Sequence, residues 1–227
     1  MRPGEVANTL VMTASPGKEQ KGPESEAYWE AYYQKNPHPF APTAFALEVA
    51  KQLEASGNLI ELGCGNGRDA VFFGRQGLDK VLAIDQCKEE MARLNEMYGH
   101  EALIFQGTDF TTFEPEDAPR YVYSRWTIHA IDEAAEDRTL DWVARSLIPG
   151  GMFFVEARSI LDDLYGKGEK VGEHAYFTDH YRRFMDKEVF ADKLRSRGLE
   201  VLEVVESRGL AVHKDDDPVI IRVIARK

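Results

Sequence analysis

The chain has 227 residues, 43% of them hydrophobic, enough to bury a substantial core, and no run approaches the roughly 18 apolar residues that a membrane-spanning helix needs. Its 39 Asp and Glu outnumber 28 Lys and Arg, and the net charge of −11 repels phosphate backbones, which argues against a nucleic-acid partner. The only cysteines, Cys64 and Cys87, have neither disulfide-framework nor metal-ligand spacing, so a cytoplasmic protein that holds no metal is expected.

Residues 1–26 are rich in Pro, Gly, Ser, Lys and Glu and lack the charged-then-apolar order of a secretory signal; they read as a mobile tail before a single domain over 27–227. Tyr28, Trp29, Tyr32 and Tyr33 recur at helical spacing and predict a short aromatic helix over 25–35, which Pro37, Pro39 and Pro42 end in extended chain. A second helix over 43–56 would turn Phe45, Val49 and Leu53 inward and stop at Gly57. Short β runs follow at 58–62, 80–84, 102–106, 120–124 and 151–156, with helical stretches between them, the alternation of a parallel sheet covered on both faces. Two last β runs, 199–206 and 219–225, have no helix between them and predict an antiparallel hairpin at the sheet.

The run Leu59-Ile60-Glu61-Leu62 leads into Gly63-Cys64-Gly65-Asn66-Gly67, a glycine turn between strand and helix that lets backbone approach a ligand. Arg68 stands where a dinucleotide fingerprint has its third glycine, which disfavours a nicotinamide enzyme. Asp85 ends the next strand, placed to accept both hydroxyls of an adenosine ribose or to cap the following helix. After the third strand, Thr108-Asp109-Phe110 offers a carboxylate to an adenine amino group and an aromatic ring to its face.

These motifs, with Leu147-Ile148-Pro149-Gly150-Gly151 further on, resemble class I S-adenosylmethionine-dependent methyltransferases over about residues 43–157. The turn with Arg68-Asp69 is distantly similar to tellurite-resistance-type members. The resemblance implies a Rossmann-like, doubly wound α/β fold with a mostly parallel sheet and a C-terminal antiparallel hairpin, to which the aromatic segment over 27–42 would add an N-terminal helical lid. It also implies S-adenosylmethionine as cofactor and S-adenosylhomocysteine as product. Carried over by position, Glu61, Gly63, Cys64 and Gly65 hold the amino acid part, Asp85 the ribose, and Asp109 with Phe110 the adenine; Gln86 and Thr108 beside them are further cofactor-binding candidates. Ser124 and Arg125 would face the methionine end, while Trp29 and Tyr33 on the lid close over the cofactor.

On the substrate side His129 is the expected general base, since an imidazole titrates near neutral pH, although a histidine before a helix also serves as a hydrogen-bonded structural residue, and a carboxylate or phosphate acceptor would need no base and leave His129 to position it. The segment 157–184 reads as a substrate-binding insertion in which Arg158, Tyr165, Lys167, His180, Tyr181, Arg182 and Arg183 concentrate basic and planar donors in an acidic protein. His129, Arg158 and Tyr165 are the catalytic candidates. The acceptor would be a small polar molecule, such as a metabolite or sugar derivative bearing a carboxylate or phosphate, methylated on oxygen or nitrogen by a monomer or homodimer. The alternative is a protein that binds S-adenosylmethionine as a scaffold or for a non-methylating reaction.

Overall fold

A computed structural model describes residues 22–23, 26–35 and 41–227. Most of the expected tail, and Pro37 and Pro39 with their neighbours over 36–40, lie outside the described residues. The aromatic segment is helix α1 (Glu26–Lys35) and the next helix is α2 (Ala44–Ala50). Alternation then begins with β1 (Asn58–Leu62), α3 (Arg68–Phe73), β2 (Lys80–Asp85), α4 (Lys88–Tyr98) and β3 (Leu103–Gly107). A single 3-10 turn (Phe110–Thr112) precedes β4 (Tyr121–Arg125), a second (Ile128–Ala130) precedes α5 (Glu133–Ser146), and β5 (Met152–Arg158) follows. Short strands β6 (Glu169–Gly172), β7 (Ala175–Phe177) and β8 (Tyr181–Arg183) come next, then α6 (Lys187–Ser196), β9 (Glu200–Ser207) and β10 (Ile220–Arg226).

Seven strands form one sheet in the order β3-β2-β1-β4-β5-β10-β9, parallel from β3 to β5, with β10 antiparallel to both of its neighbours. This is the expected Rossmann-like architecture with its terminal antiparallel pair. Period-two alternation feeds both faces, as the apolar runs require. Ile60, Leu62, Val122, Phe153 and Val155 pack with α5 and α6 residues such as Leu140, Val143, Phe190 and Leu194. Leu59, Tyr121, Tyr123 and Phe154 face the other way, with Phe45, Phe73 and Leu94 of α2, α3 and α4. Burying each such side chain contributes about 1.5–3 kcal/mol.

Leu62 lies opposite both Ile84 and Ser124, so β1, β2 and β4 end level with one another, and the strand order reverses between β1 and β4. That switch point is where open α/β sheets leave a crevice for ligands. Caps fix the helices around it: Thr43 accepts from Ala46 N at 3.1 Å and Asp132 from Ala135 N at 2.8 Å.

Two segments differ from expectation. The second helix ends at Ala50 rather than Ser56, because Lys51 N and Gln52 N bond to Glu48 O and Val49 O at 3.2 and 2.8 Å, a tightening of the last turn that cannot be continued as α-helix. Much of 157–184 is the separate three-stranded antiparallel sheet β6-β7-β8.

Candidate active site

The carboxyl ends of β1 to β5 open onto a cavity of about 870 Å³, within the roughly 300–1,000 Å³ typical of small-molecule sites. Its floor begins at the glycine turn, where Gly63 and Gly65 have φ of 62° and 54°, a region glycine enters without strain. A Cβ on Gly63 would lie 2.5 Å from Thr127 Cγ2, and one on Gly65 would lie 2.9 Å from the Tyr33 hydroxyl, so the turn admits backbone alone.

Asp85 ties this turn to the next one. Its Oδ2 accepts from Gly65 N at 3.0 Å and its Oδ1 from Cys87 N at 3.1 Å, leaving lone pairs on both oxygens for ligand hydroxyls. Burial raises the Asp85 pKa, and these backbone donors oppose the rise. Gln86 lines the wall beside it. Farther along, Asp109 Oδ1 accepts from Thr111 N at 2.8 Å, and Trp142 Nε1 donates to Phe110 O at 2.8 Å, fixing the carboxylate and ring that border this end. Thr108 contributes only its amide, which donates to Asp85 O at 2.8 Å.

Glu61 lines the cavity, is 5% exposed, and its Oε2 has no hydrogen-bond partner among the described residues. Burial, followed by the nearby Asp69, pushes its carboxyl well above the usual carboxylate range. An orphaned buried acid at a bare glycine turn fits the ammonium of an amino acid. Asp69 is engaged elsewhere, accepting from Thr43 N, Thr43 Oγ1 and Tyr123 OH at 2.8 Å each, which anchors the start of α2 to α3. Arg68 Nε donates to Ala41 O at 2.6 Å, so its side chain borders the cavity as part of the same tie.

The opposite end is polar and aromatic. Glu156 is 1% exposed, and its Oε1 meets Arg125 Nε and Trp126 Nε1 at 2.9 Å while its Oε2 accepts from Arg222 Nε at 2.8 Å. Trp126, held at a strained φ of 60°, has the guanidiniums of Arg125 and Arg158 5.1 and 4.6 Å from its ring centroid. His129 lines the cavity beside it, and burial, followed by the Arg158 and Arg182 guanidiniums and the nearby His180 and Arg125, holds its pKa well below the ordinary histidine value. Ser124 is buried with its Oγ unpartnered among the described residues and does not reach the cavity wall.

Helix α1 covers this space. Trp29 and Tyr33 line it, stacked with ring centroids 6.2 Å apart, and Trp29 meets His180 of the β7–β8 turn edge-on at 6.2 Å. Burial, followed by Asp85, raises the Tyr33 pKa well above the ordinary tyrosine value. Glu30 Oε1 accepts from Glu89 N at 3.0 Å, so α1 caps the first turn of α4, where Cys87 supplies no side-chain cap.

Only part of the basic insertion reaches the cavity. His180 and Arg182 line it, Arg182 NH1 bonding to Asp179 at 2.7 Å. Arg158 lies behind the wall, its NH1 on both Asp162 oxygens at 3.0 Å and its NH2 on Asp216 at 2.8 Å. Arg183 pairs with the buried Glu136 and donates to Ile131 O at 3.2 Å. Tyr165 bonds to His174 Nδ1 at 2.8 Å and packs on Phe184 outside the cavity; Lys167 is exposed, and Tyr181 is buried in the small sheet. The segment between β9 and β10, unsuspected from sequence, supplies Leu210, Val212, His213 and Asp216 to the wall. Arg222 NH2 secures it on Leu210 O at 2.8 Å. The arginine inside an apolar β run was the available signal.

The profile of a methyltransferase-domain family matches residues 29–204. No curated protein matches the sequence significantly. Among solved structures, a 1,6-didemethyltoxoflavin N1-methyltransferase of Burkholderia thailandensis, crystallised with its substrate and S-adenosylhomocysteine, superposes with a TM-score of 0.67 at 18% identity, covering 89% of this chain and 86% of that one. A TehB-like S-adenosylmethionine-dependent methyltransferase of Corynebacterium glutamicum gives 0.65 at 15% identity over 89% and 100%. SpnF, a cyclase of the 4+2 type, gives 0.69 at 15% identity over 91% and 97%.

Proposed function

Because the chain belongs to the methyltransferase-domain family and takes S-adenosylmethionine as cofactor, we propose that it methylates an oxygen or nitrogen of a small polar acceptor held between the glycine turn and His129. The observation that carries this reading is the two-ended cavity. One end has an orphaned acid and a bare glycine turn, and the other has guanidiniums, imidazoles and aromatic rings facing the same space.

In this reading Glu61, Gly63, Cys64 and Gly65 hold the amino acid part of the cofactor, Asp85 and Gln86 its ribose, and Asp109 with Phe110 its adenine. The bound cofactor supplies a methyl group already activated on sulfur, so the chain's own work is alignment and exclusion of water. Arg125, Trp126 and His129 orient the acceptor, with Glu156 fixing the first two. Trp29 and Tyr33 close the cavity from the α1 side. A cavity bordered by α1, the β7–β8 turn and the β9–β10 segment has the volume of a small-molecule site. The accompanying reading is a cytoplasmic biosynthetic enzyme; among the described residues no helix is long and apolar enough to cross a membrane.

S-adenosylhomocysteine release tests the acceptor class, with the small-molecule filtrate and the desalted macromolecular fraction of a cell extract supplied separately. Release with the small-molecule fraction alone is expected; release only with the macromolecular fraction overturns the proposal.

A further inference from the structure

One ring nitrogen of His129 is already committed by its surroundings. The Arg158 amide, at the end of β5, directs its N–H at Nδ1 over 3.5 Å. That contact is long for a hydrogen bond, yet a proton on Nδ1 would meet the amide proton head-on, so Nδ1 keeps its lone pair and the neutral ring carries its proton on Nε2. Trp126 packs edge-on at 5.4 Å and fixes the ring plane. The charged and titratable groups near the imidazole come from three sides: Arg125 at the end of β4, Arg158 at the end of β5, and Arg182 with His180, whose own pKa burial lowers, around the start of β8. Together with burial they keep the ring neutral, and Nε2 is the polar atom left for a ligand in a cavity that the ring lines.

A general base needs a lone pair turned towards the acceptor's proton. Here the lone pair is turned to the β5 backbone. We infer that His129 is a positioning residue, an Nε2–H donor to an acceptor that is methylated as an oxygen anion, a carboxylate or an acidic hydroxyl, rather than the base that deprotonates it. This rests on the cavity assignment proposed above. Transfer to such an anion forms the C–O bond and breaks the C–S bond, and the electron pair of the broken bond stays on sulfur. The positive charge of the sulfonium and the negative charge of the acceptor cancel, so no proton has to be placed. An N–H donor beside Arg125 and Arg182 favours the anion in a cavity otherwise rich in carboxylates.

The test uses enzyme labelled with 15N-histidine, saturated with S-adenosylhomocysteine, with acetate as the probe anion. The His129 signals are those missing from His129→Gln, or from His129→Asn if the first variant does not fold. The expected spectrum shows the Nε2–H tautomer, no protonation across the neutral range, and a saturable acetate-induced shift of the Nε2–H resonance. An Nδ1–H tautomer, titration near neutral pH, or indifference to acetate would overturn the inference. Binding of S-adenosylhomocysteine is read on the same sample; its failure strikes the cavity assignment, and the tautomer is then read from the free enzyme.

Discussion

Replacing Asp85 by Asn is the sharpest perturbation of the cofactor site, since the side chain keeps its shape and loses only charge and one acceptor. Both carboxylate oxygens accept backbone N–H groups, from Gly65 at 3.0 Å and Cys87 at 3.1 Å. An amide can accept one of these and must turn its NH2 towards the other, leaving a buried backbone donor unpaired. Ligand hydroxyls also lose a charged acceptor, each such bond contributing about 1.5–3 kcal/mol. The combined loss on S-adenosylhomocysteine binding comes to about 3 kcal/mol, or ~100-fold in Kd. Folding stability should fall less, by about 1–2 kcal/mol, because removing a buried charge offsets part of the cost. Calorimetric titration and thermal unfolding read the two effects separately. Binding within about threefold of the parent would refute the reasoning, because Asp85 would then serve the turn and not the ligand.

Glu61→Gln should raise the stability of the ligand-free protein at neutral pH and weaken S-adenosylhomocysteine binding. The Glu61 pKa is raised on folding, so the unfolded chain gives up its proton first; stability falls as pH rises from the unfolded value of about 4.3 through the folded pKa, and the penalty is complete above it. Ligand binding at a pH below that folded pKa should release a proton, visible as a buffer-dependent heat in calorimetry and absent in the Gln variant. Tyr33→Ala and Glu30→Ala should each speed S-adenosylhomocysteine dissociation several-fold in stopped flow, since one covers Gly65 and the other latches α1 to α4; unchanged rates would remove the lid role. Arg183→Met should cost about 2 kcal/mol of stability by leaving Glu136 short of a partner, with Lys193 Nζ still 2.8 Å from it. Its S-adenosylhomocysteine affinity should stay unchanged, and weakened binding would return Arg183 to the site.

The strands were legible because buried parallel strands are short apolar runs bounded by turn residues, and 58–62 is observed unchanged. The glycine turn was legible for a related reason: positive φ and close backbone approach leave a residue-type signature. The acceptor end was harder to read. Arg158, Arg182 and Arg183 look alike in sequence, but Arg158 and Arg183 are held by Asp216 and Glu136, 58 and 47 residues away, and only folding shows that Arg182 is the one lining the cavity. Similarly, Leu210 and Val212 carry no local pattern and reach the cavity wall through the pairing of β9 with β10. The early end of α2 depends on a tightened last turn that propensity over 43–56 does not reveal.

The most direct test of the account is to quantify S-adenosylhomocysteine and methylated product in one reaction, once an accepted small molecule has been isolated by its release of S-adenosylhomocysteine. One S-adenosylhomocysteine formed for each methyl gained is the predicted result. Product formed without S-adenosylhomocysteine, or S-adenosylhomocysteine formed without a methylated product, would contradict it.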